Sequence, residues 1–188
     1  CLEQDREFGI VYSDQEEIRQ KGCTAKIVQV LKRYDDGRMD ILTRGGNRFV
    51  IEDIIDEKPY LQARVAYFDD AAEEKTEELA ALVNDGIKLL QELDILTGKR
   101  SDYKSISELD PKTISFLLAY NDEFTPAEKQ EFLAMTSTRQ RLIESAGALR
   151  KVVERFKREL VIKKIVGGNG NLGKKTAARS ADKTHETK

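Results

Sequence analysis

The sequence has no tryptophan, one histidine and two cysteines among its 188 residues, and these shortages close off several chemistries. Cys1, Cys23 and His185 lack the spacing of a tetrahedral site, so no metal is expected. So few cysteines imply reduced thiols in a cytoplasmic setting. No apolar run is long enough to cross a bilayer. Neither sign of charge dominates: the net charge of −2 and pI near 5.7 offer nucleic acid no general attraction. No glycine-flanked serine suggests a nucleophile and no lysine stands out as its base, so no catalytic residue is assigned.

What is present is abundant charge, 35% against 39% hydrophobic, as in a soluble chain with much helical surface. This length allows one domain or two small ones, and either can bury a core. The most organised stretch runs from Gly22 to Ile51, where apolar and polar residues alternate on both sides of Asp36-Gly37. Gly37 can take a positive φ and Asp36 can bond to nearby backbone, so the strands pair antiparallel. Cys23, Ala25, Ile27 and Leu31 share one face, opposite Thr24, Lys26 and Lys32, while Val28 and Val30 blur the division. A sheet buried on one side and partly covered on the other gives that blur.

Gly45-Gly46 reads as a second turn, left through Arg48-Phe49-Val50-Ile51. Before the hairpin, Glu7 to Tyr12 reads as a short strand and Ser13 to Lys21 as a polar surface loop. After it, Glu52 to Pro59 reads as a charged turn, and Tyr60 to Phe68 as a last strand stopping at Asp69-Asp70. Adjacent carboxylates on a turn point apart into water, so Asp35-Asp36 and Asp69-Asp70 are read as solvated.

Beyond Asp70 the apolar period lengthens. Leu79, Leu82, Val83, Ile87, Leu90 and Leu93 form one stripe, predicting an amphipathic helix from Glu73 to about Leu96 that Thr97-Gly98 breaks. Asp110-Pro111 opens another, carrying Ile114, Leu117 and Leu118. Thr125-Pro126-Ala127-Glu128 has the form of a capping box. Ser137 to about Val166 predicts a long helix with Leu142, Ala146, Leu149, Val153, Phe156 and Leu160 as a heptad seam. That seam packs on its own bundle or, in the alternative, on a partner helix in a homo-oligomer.

Two runs carry a family resemblance. Gly22, Thr24-Ala25, Asp36-Gly37 and the exit through Arg48 to Ile51 resemble the middle of the Lon amino-terminal domain, the substrate-binding module of Lon proteases. Lys129-Gln130, the Phe132-Leu133 pair, Thr136 and Arg139-Gln140-Arg141-Leu142 resemble its helical half. The resemblance is to the freestanding bacterial kind, without an ATPase or peptidase region. In that family Arg6-Glu7-Phe8-Gly9-Ile10-Val11 follows an opening strand and helix, so the sheet is expected to have an exposed edge. Cys1 then reflects truncation; a lipid-modified terminus is the weaker reading, because Leu2 to Tyr12 looks folded.

The resemblance implies an α+β fold. Residues 1–70 form a curved antiparallel sheet of the PUA-like pseudobarrel type, 71–166 a helical bundle with one long helix, and 167–188 a disordered basic tail. Gly168 to Lys175 nearly spells a phosphate-binding loop, but Lys175 replaces the needed hydroxyl and no strand precedes it. No cofactor is expected. The implied function is non-enzymatic recognition of unfolded client proteins, with an RNA-associated module as the alternative. Tyr34, Tyr60, Tyr67 and Phe68 beside an open sheet edge are the candidate contacts, Tyr34 being the one expected in solvent, while Phe49 is assigned to the core. Recruitment of a separate protease or chaperone stays open.

Overall fold

The computed structural model describes residues 6–14 and 17–169, with side chains followed as far as Val166. Expectations for Cys1, for His185 and for the tail from Gly170 onward lie outside these residues. Four strands, β1 (Phe8–Ser13), β2 (Ile18–Arg33), β3 (Met39–Ile55) and β4 (Gln62–Phe68), form one antiparallel sheet in chain order. The Asp36-Gly37 reversal is as expected: Gly37 has φ 85° and its N–H donates to the Tyr34 carbonyl at 3.0 Å.

Several boundaries differ from expectation: the last strand starts at Gln62 and not at Tyr60, the first helix at Glu77 and not at Glu73, and three further differences have a visible cause. Gly45-Gly46 is not a turn, for β3 runs straight through it. The β2–β3 register slips between Cys23 and Ala25, and Thr24 Oγ1 accepts the Asn47 N–H at 2.9 Å. A Cβ on Gly46 would lie 2.4 Å from that hydroxyl oxygen, so the missing side chain lets β3 cross the bulge. The expected loop from Ser13 to Lys21 shrinks to a reversal closed by the Glu17 N–H donating to Asp14 Oδ1 at 3.0 Å, because Ile18 already pairs with Ser13. The expected charged turn begins only after Ile55, since Ile51 to Ile55 pair with β4.

Gly22 marks a close approach within the sheet. A Cβ there would meet the Ile10 carbonyl oxygen at 2.4 Å and Phe49 Cζ at 2.9 Å, so the Phe49 ring lies directly on the Gly22 backbone. Phe49 is only 3% exposed, as assigned.

The helices are α1 (Glu77–Thr97), α2 (Tyr103–Ser107), α3 (Pro111–Ala119), α4 (Pro126–Ala134) and α5 (Thr138–Asn169). Their ends obey local chemistry. Thr76 caps α1, Gly98 closes it at φ 72°, Asp110 caps α3, and Thr125 with Glu128 completes a capping box on α4. The short α2, capped by Asp102, was not expected. Leu79, Ile87, Leu93, Ile114, Leu118, Phe132, Leu142, Leu149 and Val153 meet in one core. The seam of α5 therefore serves its own bundle from Leu142 to Phe156. Past that point Val161, Ile162, Ile165 and Val166 are all more than half exposed.

Candidate functional site

Two buried arginines join the sheet to the helices. Arg48 on β3 donates to the Leu133 carbonyl at 2.9 Å and the Met135 carbonyl at 2.5 Å, and pairs with Asp70. Arg141 on α5, with its side chain 0% exposed, pairs with the same carboxylate, donates to Ser115 Oγ at 3.0 Å and lies 3.7 Å from the Phe116 ring centre. Burial pushes the Arg141 guanidinium below its ordinary value, and the Asp70 charge opposes that shift. Asp70 is thus not solvated as expected; two guanidinium groups from distant parts of the chain require a counter-charge there. Its neighbour Asp69 does point outward. Lys112 Nζ donates to it at 2.6 Å and, with the Asp70 N–H, holds its carboxyl down to about 2.

A second tie lies nearby: Lys21 Nζ donates to the Ala134 carbonyl at 3.0 Å, and Gln130 Nε2 donates to the Lys21 carbonyl at 2.9 Å. One face of the sheet is therefore committed to the helices. Ligands must use what remains.

The four aromatic candidates do not gather into one patch. Phe68 belongs to the joint, half-buried with Arg48 at 4.7 Å and Lys21 at 5.4 Å from its ring centre. Tyr34, expected in solvent, is half-buried: its hydroxyl donates to Asp40 at 2.8 Å and Lys32 lies 4.4 Å from its ring centre. The Asp40 hydrogen bond, with some burial, raises its pKa. Tyr60 and Tyr67 are exposed, at 60% and 63%. Tyr67 lies near the end of the edge strand β4, whereas Tyr60 precedes its start at Gln62.

Two features escaped the sequence reading. Pairing with β1 ends at Phe8–Ala25, and pairing with β4 ends at Arg48–Phe68. Residues 26–44 therefore stand out as a two-stranded ribbon, with Val28, Leu31, Met39 and Leu42 between 39% and 59% exposed. An uncovered apolar ribbon of this kind is unusual on a surface that binds nothing. Its signal was the blurring of the two faces by Val28 and Val30.

The other feature is a cleft at the opposite end of the same strands. The β2–β3 ladder stops at Lys21–Val50, yet β2 reaches back to Ile18 and β3 runs on beside β4. Between them opens a hollow of about 320 Å³ lined by Ile18, Ile51 and Ile54, which continues along β2 toward α4 as a wider cleft of about 780 Å³ bordered by Gln130. No local sequence pattern could disclose it, because it depends on where a ladder ends. Among the described residues no cluster of His, Cys, Asp or Glu could hold a metal ion, and Cys23 is half-buried with its thiol pushed up by that burial.

Residues 1–151 match the family of the ATP-dependent protease La (LON) substrate-binding domain. The Lon protease of Flavobacterium johnsoniae is 27% identical over 137 residues, covering 69% of this chain and 16% of that protein. The Lon protease of Dictyoglomus thermophilum is 25% identical over 153 residues, covering 80% of this chain and 18% of that protein. The chain thus spans less than a fifth of the length of these relatives. In fold it is similar to the N-terminal domain of a Mycobacterium avium complex Lon protease, with TM-score 0.60 and 23% identity over 77% of each chain. It is also similar to a Lon N-terminal domain protein from Xanthomonas campestris, with TM-score 0.56 and 16% identity over 77% of this chain and 76% of that one.

Proposed function

The chain belongs to the LON substrate-binding domain family, and from that premise we propose that its sheet half grips exposed, extended segments of client proteins without any bond-making step of its own. One observation carries this reading: Val28, Leu31, Met39 and Leu42 stay in solvent on a ribbon that the helices leave uncovered. Removing such side chains from water on contact with an unfolded segment supplies the attraction. The open edge of β4, with Tyr67 exposed on it, offers backbone N–H and C=O groups to a segment that adds as a strand. The helices brace this surface through the Arg48–Asp70–Arg141 joint.

The test is a fluorescence-anisotropy titration of a labelled, permanently unfolded protein with the full chain. Saturable binding is expected, weakened about tenfold by Leu31→Ser with Leu42→Ser, as for losing one to two kcal/mol of apolar contact. Both residues are exposed, so the thermal midpoint should hold. No binding at several hundred micromolar, or full binding by the double variant, would overturn the reading.

A further inference from the structure

The cleft between β2 and β3 has two properties that the client reading leaves unused: facing strand edges and an unbalanced rim. Nothing on β3 pairs with Ile18, Arg19 or Gln20, and β3 beyond Val50 pairs only with β4. Two runs of extended backbone thus diverge with their facing sides unpaired. Ile18, Ile51 and Ile54 line the space between them. At one end α4 closes it, where Gln130 already occupies the Lys21 carbonyl. The volume lies in the range of ordinary ligand sites.

Carboxylates outnumber cations on the rim, and both cations already have partners. Lys21 is turned to the Ala134 carbonyl and the Phe68 ring, and Arg19 pairs with Asp14 at 3.4 Å. Asp53 lies 3.9 Å from Arg64, with both side chains well exposed. Glu17, Glu52 and Glu131, all exposed, line the two hollows and form no ion pair among the described residues. An apolar floor, unpaired strand edges and free carboxylates call for one kind of occupant.

We propose that this cleft is a strand slot selecting extended client segments in which apolar residues alternate with lysine or arginine. The proposal rests on the client-binding reading and narrows it. Period-two alternation sends apolar side chains down onto Ile18, Ile51 and Ile54 while basic ones reach Glu17, Glu52 and Glu131. Backbone bonds to the two diverging strands supply affinity. The rim supplies selection.

The experiment titrates the full chain with three labelled nine-residue peptides. One alternates valine with lysine, one alternates valine with glutamate, and one repeats the first with alternate backbone amides methylated. The basic peptide should bind at least about tenfold more tightly than the acidic one, and methylation should abolish its binding. Glu52→Lys with Glu131→Lys should reverse the preference; both side chains are exposed, so the fold should survive. Equal binding of the two charge types, or a preference indifferent to charge reversal, overturns the slot. So does unimpaired binding of the methylated peptide, which would mean a surface charge contact without strand addition. Self-association abolished by the charge reversal, seen by sedimentation without peptide, would make a second copy the occupant and also overturn it. The labelled unfolded protein is titrated in parallel. If it binds while the peptides are not distinguished, only the slot fails; if it does not bind, the broader reading fails.

Discussion

The two halves of this molecule handle apolar residues differently. From Leu79 to Val153 the helices gather leucine, isoleucine, valine and phenylalanine into a shared interior, whereas among the described residues of the sheet only Ala25 and Phe49 are buried and apolar. Ile10, Val28, Leu31, Leu42, Ile54 and Tyr67 remain substantially in solvent. A sheet this open cannot be held by its own packing. Its stability is borrowed through Arg48, Lys21 and Gln130, which anchor it to a body that does not need it for a core. The exposed apolar surface then becomes compatible with a defined fold, as the proposed client grip requires.

Four measurements break or sharpen this contrast. The largest loss is expected for Asp70→Asn, which leaves Arg48 and Arg141 buried against each other with only the mostly exposed Asp69, 3.4 Å from Arg48, as counter-charge, costing about 3–5 kcal/mol in urea unfolding. A cost below about 1 kcal/mol would mean that the halves are joined by other means. Next, Leu149→Ala in the helical core should cost about 2–5 kcal/mol, while Leu31→Thr on the ribbon should stay within about 0.5 kcal/mol. Equal costs would erase the distinction between the halves. Gly22→Ala tests a close-packed spot in the sheet: a Cβ there meets the Ile10 carbonyl and the Phe49 ring, so a loss of about 1–3 kcal/mol is expected.

The smallest effect lies at the Asp69–Lys112 pair. Asp69 is held down to about 2 in the folded chain, against about 3.9 when unfolded. Its contribution is therefore complete above pH 4 and disappears as the pH falls through 2. Because the carboxylate is 69% exposed, it should amount to a few tenths of a kcal/mol. Lys112→Met should flatten that part of the acid-unfolding curve, and an unchanged curve would remove the pair from the account.

Features written in neighbouring residues were legible in the sequence. Asp36-Gly37, Asp110-Pro111, the Thr125–Glu128 box and Gly98 each act within a few residues, and each stands where the pattern put it. The Lon-like wording between Gly22 and Leu142 identified the family for related reasons. Gly22 lies under Phe49, while Arg48 and Arg141 share a carboxylate. What misled was any residue whose role is set at long range. Asp70 looked like a solvated strand end because its two partners lie 22 and 71 positions away. Gly45-Gly46 looked like a turn because the Thr24 bulge they cross belongs to another strand. Tyr34 is a different case, for Asp40, which accepts its hydroxyl, lies only six positions away across the hairpin; turn geometry and not distance in sequence hid it. Of the candidate site, Tyr67 and Phe68 on β4 could be proposed from the sequence; the ribbon left only the blurred alternation at Val28 and Val30, and the cleft left no signal.

The longest helix has a mechanical consequence. Its 32 residues make a rod of about 48 Å; it packs on the bundle as far as Phe156, and toward Val166 it runs on with Val161, Ile162, Ile165 and Val166 largely exposed. Near the clamped end, within the first turn, stands Arg141, bolted through Asp70 to the sheet. A shift of α5 along its axis would therefore be felt at Asp70 and the strand ends it holds, as well as in the bundle.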